Sequence, residues 1–146
     1  MTISQEHKKQ ITLMDGILFI ADPEHLPADA PLQEEDHQRG FAKTDHVAMV
    51  FTPYEYARCE LIVREAELSI PPSAIKTVSF PIVITSGSCV IGDDIRPSEG
   101  CVEIALASGS YVFTVSLEVL SEDIDEVGNT AAIRFTVFIE LMQEAS

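Results

Sequence analysis

No tryptophan occurs in the 146 residues, and aromatic side chains make up only 7% of them. A sugar site, which needs large flat faces to stack on, has little to be built from. Basic residues are also scarce, with nine Lys and Arg against 24 Asp and Glu, for a formal charge of −15. That exceeds the roughly 2 to 8 charges that keep a small domain soluble. A field of this sign repels nucleic acid and anionic lipid and speeds encounter with cations or with a basic protein. The three cysteines, Cys59, Cys89 and Cys101, are odd in number and form no C-x-x-C pair, which points to reduced thiols in a cytoplasmic protein. No basic stretch followed by a long apolar run opens the chain, and "GILFIA" is closed by Asp22, far short of the ~20 apolar residues of a membrane span. These features imply neither export nor membrane insertion.

Catalytic signatures are missing as well. There is no phosphate-binding glycine loop, no H-E-x-x-H, and "SGSCVIG" lacks the spacing of a nucleophile elbow. Cys89 sits in an apolar run and reads as a buried structural thiol rather than a nucleophile served by His46. His7, His25, His37 and His46 show no metal-ligand spacing and read as surface residues. No catalytic residue, metal ligand or cofactor is assigned.

What the chain has in quantity is alternation. In "SYVFTVSLEVL", Tyr111, Phe113, Val115, Leu117 and Val119 fall on one face and Thr114, Ser116 and Glu118 on the other, as in a half-buried strand. "TAAIRFTVFIEL" repeats the pattern with Ile133, Phe135, Val137, Ile139 and Leu141. "CVEIALA" and "RCELIVRE" alternate likewise, and "ITLMDGILFIAD", "DHVAMVF", "KTVSFPIVIT" and "SCVIGDDI" complete a set of eight candidates. Many short strands without convincing helices predict a single all-β domain over residues 1–146, an antiparallel β-sandwich of about eight strands. "ASGSY" around Gly109 is the clearest hairpin turn. Pro81, which cannot donate to a ladder, marks an edge strand or a bulge. "PADAPLQEEDHQRG" is the longest polar stretch, with room for one helical turn over Leu32 to Arg39 ended by Gly40.

The carboxylates concentrate in connections: Glu34, Glu35 and Asp36, then Asp93 and Asp94, then Glu122, Asp123, Asp125 and Glu126. Strand interiors must be apolar, so charge collects in loops for that reason alone. The functional alternative is an acidic surface that meets a basic cleft. A third is calcium, which takes six to eight oxygen ligands, although "EDIDEVGN" does not follow the twelve-residue calcium-loop pattern.

The order of segments also resembles a known family. "HQRGFAKTDHVAMVF", "ARCELIVREAEL", "KTVSFPIVI" and "GCVEIALASGSYVFTVSLEVL" follow one another as in the bacterial competence protein J family, ComJ, inhibitors of a DNA-entry nuclease. The resemblance covers roughly residues 10 to 140, with its clearest points at Gly40 to Ala42, Phe80-Pro81 and Ser108 to Tyr111. It implies a cytoplasmic protein that is not an enzyme and that binds a metal-dependent, nonspecific nuclease, its acidic loops competing with DNA for the cleft. An immunity or accessory protein for another basic partner, with calcium in the acidic loops, is the other reading.

Overall fold

The computed structural model describes residues 6–13, 16–25, 40–52, 57–64, 72–93, 101–121, 124–125, 128–129 and 131–142. The strands are, in chain order, β1 (Glu6–Leu13), β2 (Ile17–Ala21), β3 (Phe41–Lys43), β4 (Val47–Phe51), β5 (Ala57–Arg64) and β6 (Lys76–Ile84). They continue with β7 (Ser88–Gly92), β8 (Cys101–Ala105), β9 (Gly109–Ser121), β10 (Ile124–Asp125), β11 (Gly128–Asn129) and β12 (Ala131–Leu141). One 3-10 turn, Pro23–His25, follows β2. Sheet one has the order β1-β5-β12-β9-β6 and sheet two the order β3-β4-β2-β7-β8, while β10 and β11 pair only with each other. Every neighbouring pair is antiparallel except β5 with β12. The molecule is therefore an all-β sandwich of two mostly antiparallel sheets.

Alternation places the core. Phe113, Val115, Leu117, Ile133, Phe135, Val137 and Ile139 are all buried between the sheets, as their period of two requires. They meet Leu18, Ile20, Ile91 and Ile104 of sheet two in one apolar cluster. Pro81 lies on β6, an outer strand of sheet one, where a missing donor leaves no ladder broken on the free side.

Three expectations need correction. "ITLMDGILFIAD" is not one strand but two: the chain turns at Gly16 (φ 70°) and passes from sheet one to sheet two. A continuous apolar run conceals such a turn, and only the glycine, free to take positive φ, signals it. Gly109 does not sit in a hairpin either, because β8 pairs with β7 in sheet two while β9 pairs with β12 and β6 in sheet one. Turn residues mark where a chain bends and not which strand it then joins. Finally, Thr114, Ser116 and Glu118 are buried, so β9 is covered on both faces over its middle. Ile62, Thr136 and Phe138 on the neighbouring strands are buried on the same outer face, and the Ser79 and Thr114 hydroxyls satisfy one another at 2.9 Å. The proposed turn over Leu32 to Arg39 lies outside the described residues.

The two sheets are fastened at both margins. Lys9, Leu61, Phe135, Leu117 and Lys76 occupy one register row across the inner face of sheet one. The central three are buried apolar residues and the flanking two are lysines on the edge strands. Lys9 donates to the Cys101 carbonyl of β8 at 2.9 Å, and Lys76 donates to the Gly40 carbonyl at 2.8 Å and to that of Phe51. Inward-pointing lysines on edge strands also discourage pairing with another chain. Burial lowers the Lys76 pKa below the ordinary lysine value.

Candidate partner-binding surface

β9 runs to Ser121 and β12 begins at Ala131, so the connection between them starts and finishes at one end of sheet one. There the ladder is irregular. Ile133 pairs with Val119, but Ala132 pairs with Ser121, which leaves Leu120 as an extra residue in a bulge. Bulges re-aim side chains and end pairing, and Leu120 is 47% exposed although apolar. Ile75, which donates its backbone N–H to the Leu117 carbonyl at 2.8 Å, is 61% exposed just ahead of β6. On the outer face of sheet one lies a short charged row. Arg134 reaches Glu60 at 3.3 Å and Glu118 at 3.6 Å, and the Ser73 hydroxyl donates to the second oxygen of Glu118. Glu118 is buried and firmly held, whereas the row as a whole carries two carboxylates for one guanidinium.

The acidic positions singled out above are distributed as follows. Asp125 is in β10 and pairs with Gly128 of β11, in the connection just described. Asp93, half-buried, directly follows β7. In sheet two, Gly92 of β7 pairs with Phe19, near the β2 start, so Asp93 lies toward the end from which the Gly16 turn leads back to sheet one. Lys76, at the start of β6, bonds carbonyls next to the start of β3 and the end of β4. Corresponding strand ends of the two layers thus coincide, and the Asp93 connection and the β10–β11 ribbon leave the same end of the sandwich. Glu122, Asp123, Glu126, Asp94, Glu34, Glu35 and Asp36 lie outside the described residues. Among the described residues no group of three or more His, Cys, Asp or Glu side chains is disposed to hold a metal ion.

The most heavily bonded carboxylate lies at the opposite end, and sequence reasoning missed it. Asp22 is fully buried after β2 and accepts five hydrogen bonds. The donors are the Thr85 N–H at 2.7 Å and hydroxyl at 3.1 Å, the Ser86 N–H at 3.2 Å and hydroxyl at 2.6 Å, and the Glu24 N–H at 3.0 Å. Burial works against its charge, but the bonds from Ser86, Thr85 and Glu24 prevail and hold its pKa well below the usual carboxylate range. Its own N–H donates to the His46 carbonyl at 2.9 Å. With both oxygens occupied, Asp22 ties β2 to the β6–β7 turn. An Asp bonding the N–H two residues on, ahead of "PE", is a turn signature that the sequence did carry.

The histidines also differ from expectation. His46 is half-buried, its Nδ1 2.9 Å from the Val83 carbonyl, and His7 is half-buried with its Nε2 out of solvent. Both lie on strand or loop positions that the sandwich covers. Cys59, Cys89 and Cys101 are buried thiols, and burial pushes Cys59 and Cys89 up to about 12, which leaves neither able to act as a nucleophile near neutral pH.

No family model and no curated protein matches the chain in sequence. Among solved structures, that of ComJ, inhibitor of the DNA-degrading activity of NucA, from Bacillus subtilis, superposes with a TM-score of 0.66 at 14% identity. The match covers 92% of this chain and 98% of that one. The structure described as crocagin biosynthetic gene J is similar with a TM-score of 0.52 at 14% identity, over 92% of this chain and 97% of that one. The fold is thus shared with ComJ from one end to the other.

Proposed function

We propose that the protein is an inhibitor of a nuclease of the DNA-entry type, not an enzyme, and that it acts in the cytoplasm by occupying the nuclease's basic DNA cleft. The observation that carries this is the ComJ likeness over almost the whole of both chains, joined to a net charge of −15. A nuclease cleft holds a cation and basic side chains for phosphate. A rigid sandwich bearing carboxylates at one end offers a protein substitute for that polyanion. Glu122, Asp123, Asp125 and Glu126 are assigned to the contact first, Asp93 and Asp94 second, and Glu34, Glu35 and Asp36 third.

Titrating the purified protein into a DNA-degradation assay with NucA tests this, and inhibition at micromolar concentration is the expected outcome. Full digestion at that concentration would sink the idea. Replacing Glu122, Asp123, Asp125 and Glu126 by their amides should leave the melting temperature nearly unchanged, as an acidic surface reserved for a partner requires. Association with NucA should slow by about tenfold at low salt, and the difference should shrink as salt rises, since screening acts within ~8 Å at physiological ionic strength. An unchanged association rate at low salt would move the contact to another surface.

A second reading draws on the likeness to the crocagin biosynthesis protein: the same sandwich as an accessory protein for a different basic partner, with calcium in its acidic loops. A melting temperature that falls on adding a chelator would favour it, because a metal bound only by the native state stabilises that state.

A further inference from the structure

We infer that the free edge of β1 takes up an extended, acidic segment of another protein as an added strand. The site goes beyond the inhibitor reading and does not depend on it. Of the four edge strands of the two large sheets, three are short or blocked. β3 has three residues and β8 five, and the Cys101 carbonyl of β8 is already engaged by Lys9. In β6, Val83 gives its N–H to the Asp45 carbonyl at 2.8 Å and its own carbonyl lies 2.9 Å from the His46 ring, while Pro81 has no N–H to offer. β1 differs on each count. Its eight residues pair with β5 from Glu6 to Leu13 without a register shift, and none is a proline. Among the described residues, no backbone group of β1 is bonded outside that ladder. Alternate residues of an edge strand point both N–H and C=O away from their one neighbour. β1 therefore presents a row of unanswered donors and acceptors, the template on which a further strand is added.

The side chains around this edge select the occupant. β1 and β5 carry Lys8, Lys9, Arg58 and Arg64 against Glu6 and Glu60, a net of +2 in a chain of −15. On the outer face, Glu6 is shared between Lys8 at 3.2 Å and Arg64 at 3.1 Å. Glu60 is taken by Arg134, and Arg58 is exposed with no carboxylate partner among the described residues. A strand added beside β1 lies about 10 Å from β5, two strand spacings, which an arginine and a glutamate side chain span together. Carboxylates on every second residue of that strand all fall on this face. Lys9 points the other way, toward the Cys101 carbonyl, and deters a strand that is apolar on its inner side but not one that is polar there. A second copy of this chain would set one positive margin against another across a two-fold axis, where like charges oppose docking. Nucleic acid has no peptide backbone to continue the ladder and is repelled by the net charge of the molecule.

The probe is a capped, fluorescently labelled peptide of eight residues, the length of β1, alternating Glu with Thr. It is titrated with the full-length protein at low salt while its anisotropy is followed. Binding at about 100 µM or tighter is expected, and the counterpart with Lys in place of Glu should bind at least about tenfold more weakly. N-methylation of every second peptide amide separates a ladder from a loose attraction of charges, because only the amides that face β1 donate to it. Methylation in one phase should abolish binding, and in the other phase should leave it little changed. The double variant Lys8→Glu, Arg58→Glu should weaken binding by about tenfold or more. Both side chains are exposed, and an unchanged melting temperature verifies that the fold is intact. Lys43→Glu, on β3 at the opposite margin, should leave binding as it is. No binding at about a millimolar, or equal tolerance of methylation in both phases, overturns the proposal. So does a loss confined to Lys43→Glu, which would place the added strand at β3. No nuclease enters the titration, so its result and that of the inhibition assay are independent.

Discussion

Asp22 illustrates how much a single side chain can organise. Its five accepted bonds come from a turn more than sixty residues away and from its own 3-10 turn. Asp22→Ala would leave buried donors unanswered and should destabilise the protein by about 3 kcal/mol, as for loss of hydrogen bonds to a charged group. The pH dependence follows from the direction of the shift. Because the folded pKa lies below the unfolded value near 3.9, the carboxylate's contribution is complete above about pH 4 and is lost as pH falls from there toward the folded value. Urea unfolding of the parent and of Asp22→Asn at pH 7 and pH 3 measures it: the gap should be wide at pH 7 and narrower at pH 3. Little of this was legible beforehand. The Asx-type turn at Asp22 is local and readable, but the Thr85 and Ser86 donors reach it only through the folding of β6 against β2. The exposure of Leu120 was equally hidden, since that residue continues the apolar run of its strand and a bulge leaves no mark in the sequence.

At the scale of strands, alternation carried nearly everything. The inner faces of β9 and β12 were readable residue by residue because apolar side chains recur every second position and the pleat sends them to one side. Phe135 stands at the centre of that set, in register with Leu61 and Leu117. Phe135→Ala should cost about 3 to 5 kcal/mol, the transfer of the ring plus the cavity it leaves, as measured by chemical denaturation. Pairing was not readable, because alternation is the same whichever neighbour a strand takes. Nor was the covered outer face of β9, where Thr114 and Ser116 read as polar and are nonetheless buried, Thr114 with its hydroxyl bonded to that of Ser79. Gly40 belongs to this scale too, since it leads the chain into β3. Its φ is 87°, and a Cβ placed there would meet the Lys76 Cε at 2.5 Å. Gly40→Ala should therefore cost more than the ~1 kcal/mol of an unfavourable backbone alone. Combining it with Lys76→Ala, which removes the clash, should give a loss smaller than the sum of the two single changes.

For the molecule as a whole, composition had set the charge and alternation the fold class, and the structure distributes them. Carboxylate-bearing connections leave one end, the Asp22 lock closes the other, and the apolar core lies between. Lys9 and Lys76 join the layers along the two long sides of that core. A sandwich clasped on one side only would open like a book, swinging about the opposite margin as a spine. Clasped on both, it has no spine, and the layers must part together or not at all. Under the inhibitor reading, the end that meets a partner is thus mechanically separate from the clasped row of Leu61, Phe135 and Leu117.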